Sequence, residues 1–432
     1  MTVQNPTFGL TFARLFGQSI WKVASTSIAG LTYNKSFTIV TLRPPKPVGN
    51  TFDVRDIDLA GNGTTVRVII GDVGTNSNMT YSGVGALLVL DPNYDMWYYD
   101  TNAPMWGSNP SAQRLTQMIA DPNYRYPSMT GIAGDPNFPD APVWTDARES
   151  QANISGKPVT TANVDPGCAA EWARVDKTRY ALVASTAASD VYCYEPGIYD
   201  PAGSRGAEDA QIAIGTGHLG ILKNHYTVNS TSVSRGAFYL KAGLQVRGSV
   251  IGGYYPAEPG VALMFDECST SHCNLDANNA YAFALNAGTR FPATYTAGTP
   301  ATAAIDWSGS RVETTGSSSP TPALPLTLLV RKDSNCFVPT SPPFEESGSC
   351  REQDNKTISL AGSGSIVLWG VQYMPTDNAV INGNSASEGR IGQIWAWTLT
   401  YTGNSIINQE GADNGGPGIL RLDAACTAPS TV

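Results

Sequence analysis

Gly362-Ser363-Gly364-Ser365, Gly383-Asn384-Ser385 and Gly403-Asn404-Ser405 stand 21 and 20 residues apart, each after an apolar, β-prone run such as Thr357-Ile-Ser-Leu-Ala361 or Leu399-Thr-Tyr-Thr402. Far from them, Leu59-Ala60-Gly61-Asn62-Gly63 echoes Leu360-Ala361-Gly362-Ser363-Gly364, and Leu244-Gln-Val-Arg-Gly248-Ser249 is a looser copy. A strand, a Gly-Asn turn and another strand repeated about every twenty residues is the period of a parallel β-solenoid. One coil cannot bury its inward residues alone and must stack on its neighbours. Stacking would set Asn384 over Asn404, where side-chain amides can bond in a ladder. A β-sandwich is the competing architecture.

Short strands bounded by Gly, Asn or Pro are expected throughout: Val66–Ile70, Ala86–Leu90, Ile212–Ile214, Ala237–Leu240, Val261–Phe265, Leu326–Val330, Ile366–Trp369 and Ile394–Tyr401. With 43 glycines and 29 prolines in 432 residues, long helices have little room. The fold class is therefore all-β, a right-handed parallel β-helix over 41–425 with long loop insertions. Residues 1–40 form a short N-terminal cap, with a helix over Thr7–Gly17 and a strand over Ser19–Thr26. Residues 426–432 are a tail. The insertions fall at about 91–165, marked by Asp-Pro-Asn at Asp91, Asp121 and Asp135; at 292–325, rich in Thr, Ser and Pro; and at 331–356.

Charge excludes one class of partner. A net charge of −9 and a pI near 4.9 leave no basic face to displace counterions from nucleic acid. No apolar run reaches the roughly 18–20 residues of a membrane span. The cysteines pair by spacing as Cys168/Cys193, Cys268/Cys273 and Cys336/Cys350, with Cys426 left over and no CxxC motif, which predicts three disulfides and an oxidising, extracellular setting. The start Met1-Thr-Val-Gln-Asn-Pro6 has neither the basic nor the apolar part of a signal peptide, so export implies a removed signal or a longer precursor. The six sequons at Asn34, Asn62, Asn78, Asn153, Asn229 and Asn355 reflect an Asn/Ser/Thr-rich composition more than glycosylation.

Several motifs suggest chemistry and fail on context. Gly215-Thr-Gly-His-Leu-Gly220 matches a dinucleotide fingerprint, but β-prone sequence follows it and the next acid is Glu258, so it reads as a turn. Asp58-Leu-Ala-Gly-Asn62-Gly63 lacks an EF-hand's third ligand and closing glutamate; a structural calcium site of another kind, built from loop Asp and Asn, stays open, and no other cofactor is expected. Cys268-Ser-Thr-Ser-His272-Cys273 reads as a disulfide hairpin rather than a zinc site, and His218 and His225 have no nucleophile beside them. For glycoside chemistry, Asp266-Glu267 with Arg247 on a neighbouring strand is the best acid pair, ahead of Glu345-Glu346. Adjacent strand residues face opposite ways, which argues against it. No catalytic or metal-binding residue is assigned. Tyr94, Trp97, Tyr98, Tyr99 and Trp106 are candidates for stacking on sugars.

The segments Pro196–Tyr199, Ala237–Ser249, Gly260–Phe265 and Gln372–Ser385, with Gly392–Ala396 and Tyr401–Ser405, resemble the glycine-rich coils of bacterial tight-adherence (Tad) pilus-associated proteins, the TadE/TadG-like group. Pro6–Gly17 with Val23–Ala29 resembles the segment that follows the membrane helix in those proteins; that helix is absent here. The resemblance implies a non-catalytic structural or adhesive protein of the bacterial cell surface. It would associate with pili, with other surface proteins or with itself as a filament. A secreted protein that binds or cleaves polysaccharide is the alternative.

Overall fold

The structure, a computed structural model, describes residues 30–31, 37–45, 56–99, 112–121, 143–144, 149–152, 190–200, 211–223, 226–228, 231–233, 236–241, 243–252, 261–265, 275–286, 326–331, 357–383, 389–404, 406–410 and 422–423. Its strands begin with β1 (Gly30–Leu31), β2 (Phe37–Thr41), β3 (Ile57–Leu59), β4 (Thr65–Ile70), β5 (Asp72–Thr75), β6 (Met79–Thr80), β7 (Leu87–Leu90), β8 (Met96–Tyr98) and β9 (Gln113–Arg114). Next come β10 (Val143–Trp144), β11 (Glu149–Ala152), β12 (Asp190–Tyr194), β13 (Gly197–Tyr199), β14 (Ile212–Ile214), β15 (His218–Leu222), β16 (Tyr226–Val228), β17 (Thr231–Val233) and β18 (Gly236–Leu240). The rest are β19 (Leu244–Val246), β20 (Ser249–Gly252), β21 (Val261–Phe265), β22 (Leu275–Asn286), β23 (Leu326–Val330), β24 (Thr357–Gly383), β25 (Gly389–Gly403), β26 (Ile406–Glu410) and β27 (Leu422–Asp423). No helix occurs among the described residues, and the helix and strand expected over 7–17 and 19–26 lie outside them.

The chain divides into two units, residues 1–36 with 417–432, and residues 37–416. In the first, β1 pairs antiparallel with β27. The second begins with β2, which crosses the boundary expected at residue 40, and holds one long sheet of mostly parallel strands.

Its pairings form three ladders. Ladder 1 runs β10, β13, β18, β21, β23, β24, β25, β2, β5, β8, β9, all parallel. Ladder 2 has two runs, β14, β19, β22, β24 and then the later part of β24, β25, β3, β6. Ladder 3 runs β12, β15, β20, β22, β24, β25, β26, β4, β7, with β11 closing its far end as an antiparallel strand on β12. Alternation puts every second side chain inside. Ile394, Ile39, Val73 and Met96 from ladder 1, Leu399, Ile57 and Met79 from ladder 2, and Ile391, Ile407, Val66 and Leu88 from ladder 3 join one core. Each such buried side chain contributes about 1.5–3 kcal/mol over leaving it exposed.

Glycine marks the corner between ladders 2 and 3. Gly383 and Gly403 are in register. A Cβ at Gly61 would collide with the backbone of Gly403, and one at Gly83 with the carbonyl of Gly61, so neither position tolerates a side chain. Thr64 Oγ1 donates to Gly403 O at 2.6 Å. The Asn404 amide, oriented by its acceptors, donates to Gly403 O and to Asn62 O. Asn404 therefore bonds toward the next strand pair on the Asn62 side; Asn384, its expected ladder partner, lies outside the described residues. The Gly215–Gly220 motif is the same corner, with His218 N–H donating to Gly215 O at 3.1 Å between β14 and β15.

The order of strands in the stack is not their order in the chain. In ladder 1, β2 follows β25; in ladder 2, β3 follows β25; in ladder 3, β4 follows β26. The N-terminal strands thus dock on the C-terminal ones, and the 1-2-3 succession continues from Glu410 to Phe37 although the chain does not. From this seam the chain builds outward to β9 at one end of ladder 1, then crosses to β10 at the other. Ten strand spacings separate them, about 48 Å at 4.8 Å each. Residues 115–142 span up to about 90 Å when extended, which suffices.

Candidate functional site

The crossing begins as a strap over the outer face of ladder 1. Leu115 N–H donates to Tyr98 O at 2.7 Å. Ile119 N–H donates to Asn76 Oδ1 at 2.6 Å, and Asn76 Nδ2 donates to Ile119 O at 2.9 Å and to Leu42 O at 3.2 Å. Tyr373 donates its hydroxyl to Asp121 Oδ1 at 2.5 Å. From β8 to β24 is four strand spacings, about 19 Å, and the six residue steps from Leu115 to Asp121 reach about 20 Å extended. The strap therefore runs along the stack, across its strands, and crosses the β2/β25 seam.

Sequence prepares the strands for that cover. Residues facing away from the core in ladder 1 would normally be polar, yet Tyr239, Met264, Leu329, Tyr373, Trp395 and Val40 are all buried. This column is apolar on both sides of the sheet, as in strands covered on two faces. Where the strap passes lowest the column narrows to Gly74, because a Cβ there would collide with Ile119 Cδ1 and press on the Phe37 ring. Asn76, 2% exposed, presents a side-chain amide that pairs with Ile119 as a strand backbone would.

The far side of ladder 3 changes character along the stack. At one end Val191, Cys193, Leu219, Ile221 and Ile251 are buried facing away from the core. At the other, Ile69, Leu87 and Val89 are 38–40% exposed beside Arg67, and Val84 is 81% exposed. Ladder 2 carries polar outer residues: Thr80 and Ser82 both donate to the Asp58 carboxylate, at 3.1 and 2.9 Å, and Thr398 donates to Asn378 Oδ1 at 2.6 Å.

The expected site residues fall as follows. Met96 enters the core, so Trp97 faces the outer column and Tyr98 the opposite side. Tyr94 lies in the turn closed by its N–H on Asp91 O at 3.0 Å. The described aromatics thus do not share one face, and Trp106 lies outside the described residues. So β8, inside the stretch read as an insertion from residue 91, continues ladder 1. Cys193 is disulfide-bonded; Cys168, Cys268, Cys273, Cys336, Cys350 and Cys426 lie outside the described residues, as do Asp266, Glu267, Glu345, Glu346, His225 and His272. Arg247 sits in the corner after β19 rather than on a strand. It holds Asp276 through two bonds of 2.6 and 3.0 Å, which raise its pKa. Among the described residues no three His, Cys, Asp or Glu side chains gather as a metal would require.

Sequence reasoning missed Asn76, Ile119, Asp121 and Tyr373. Asp121-Pro-Asn was visible only as a turn signal. One polar pair in the core was missed too: Gln409, fully buried, donates Nε2 to the Tyr401 hydroxyl at 2.8 Å. Burial pushes the Tyr401 pKa up, and that hydrogen bond lowers it by less.

No family model, no curated protein and no solved structure matches this chain.

Proposed function

We propose that residues 37–416 form a right-handed parallel β-helix that serves as a stiff structural or adhesive element on the outside of a bacterial cell, associated with pili or assembled into filaments, without catalysis. The observation that carries this reading is the fixed succession of three parallel ladders around one continuous core, clasped by a strap on an outer face that is itself apolar. A stack of this kind resists bending because each interface repeats the one before it. Right-handedness follows from the crossover preference of parallel strands. The disulfide at Cys193 fits an oxidising compartment, and the Tad-like segments named above support the surface setting.

Immunogold electron microscopy of the source cells, with antibody to this chain, tests the reading. Label along filaments or on the envelope supports it. Label on neither, together with turnover of any acidic or neutral glycan by the purified protein, replaces it with the polysaccharide reading.

A further inference from the structure

We propose that the seam between β25/β26 and β2/β3/β4 is an interaction surface that a second copy of this chain can fill, the N-terminal strands of one copy docking on the C-terminal strands of the next. This deepens the structural reading above by naming the partner and the surface, and rests on it only for its biological setting.

Three observations carry it. First, the seam is a complete set of parallel pairings on all three ladders, with Ile39 opposite Ile394, Leu59 opposite Tyr401 and Asn408 opposite Arg67. Nothing in that geometry depends on both sides belonging to one chain, which is the condition for exchanging an element between copies. Second, the succession of ladders is unbroken from Glu410 to Phe37, so a foreign N-terminal block continues the stack as well as the chain's own. Third, the linker is longer than the closed form requires. From β24 to β10 is five strand spacings, about 24 Å, whereas residues 122–142 reach about 70 Å when extended.

Magnitudes decide when each form wins. A tethered block competes for its own seam at an effective concentration on the order of 1 mM. Dilute chains close on themselves. Chains folding near millimolar density fill one another's seams, and because each copy offers one block and one seam, the exchange either closes reciprocally as a dimer or propagates head-to-tail.

The test uses Arg67→Cys and Asn408→Cys, whose Cα atoms lie on adjacent paired strands within the reach of a disulfide. The double variant should form an intrachain 67–408 link, identified by peptide mass. Equimolar single variants, unfolded and refolded together with their native disulfides intact, should form the same link between chains. Because half of the exchanged contacts join like variants, the expected share of Asn408→Cys chains linked is about 0.5% at 10 µM total protein and about a quarter near 1 mM. Co-expression of the two chains gives a second route if refolding is poor. An intrachain link in the double variant with no interchain link at high concentration or in co-expression overturns the proposal, and so does absence of the link in the double variant. Either negative leaves filament association through other contacts standing, so immunogold label remains a separate measurement.

Discussion

Tyr373 and Asp121, 252 positions apart, meet through a hydroxyl-to-carboxylate hydrogen bond of 2.5 Å that pins the strap on the far side of the seam from Asn76. Hydrogen bonds to a charged acceptor contribute about 1.5–3 kcal/mol. Tyr373→Phe keeps the ring in its buried column and removes only the donor. It should lower stability to denaturant by that amount, and Asp121→Asn by less, since an amide oxygen still accepts. Equal losses would show that the bond depends wholly on the carboxylate charge, and no loss from Asp121→Asn would show that the charge contributes nothing.

Asn76→Ala removes the amide that satisfies both the N–H and C=O of Ile119. The expected loss is roughly 2–3 kcal/mol, with faster hydrogen exchange at Ile119 and Leu115. An unchanged exchange rate would mean that the strap is held by other contacts.

Gly74→Ala tests the close approach of the strap. The added methyl meets Ile119 and the Phe37 ring, so the strap must lift. The pair Gly74→Ala with Ile119→Ala should recover part of the loss of the first change alone, because the second opens the space the first fills. Additive losses in a double-mutant cycle would contradict this packing.

Tyr401 sets an alkaline limit. Its folded pKa is raised above 10 by burial, so below pH 10 the hydroxyl is neutral in both states and its contribution is intact. Above pH 10 the unfolded chain ionises there and the folded chain does not. Stability then falls by about 1.4 kcal/mol per pH unit from this group. Tyr401→Phe should flatten the slope above pH 10 relative to the parent, measured by denaturant titration at several pH values.

A circular permutant should fold like the parent. Linking Val432 to Met1 joins segments whose strands β1 and β27 already pair, and opening the chain within 122–142 leaves every ladder pairing intact. The far-UV circular dichroism should superimpose on that of the parent. Loss of the β-sheet signal would show that the crossing segment, rather than the seam, directs assembly of the stack.

Much of the architecture was readable locally. Short apolar, β-prone runs bounded by Gly, Asn or Pro marked β4, β7, β14, β18, β21 and β23, because turn residues stop a strand locally wherever one forms. The Leu-Ala-Gly echo at 59–63 and 360–364 marked the same corner between ladders 2 and 3, and at Gly61 backbone passes there too closely for a Cβ. Failure of the Gly215–Gly220 motif as a nucleotide loop was also visible in the β-prone residues after it.

Which strand lies against which was not readable, because parallel pairing joins residues with no local constraint between them. Ile39 and Ile394 are both ordinary apolar strand residues; only the assembled stack makes them neighbours. That ladder 1 is apolar on both faces, and that residues 115–121 help to cover Tyr373, Trp395 and Val40, emerged only with the stack assembled. A glycine at 74 and an asparagine at 76 acquire their roles only when the strap arrives. The sequence by itself determined an all-β chain with a near-twenty-residue period, since side-chain alternation and turn chemistry act within a few residues. Tertiary structure alone decided that β2, β3 and β4 lie against β25 and β26 at a seam in mid-stack, since that depends on burying two edges distant in the chain against each other.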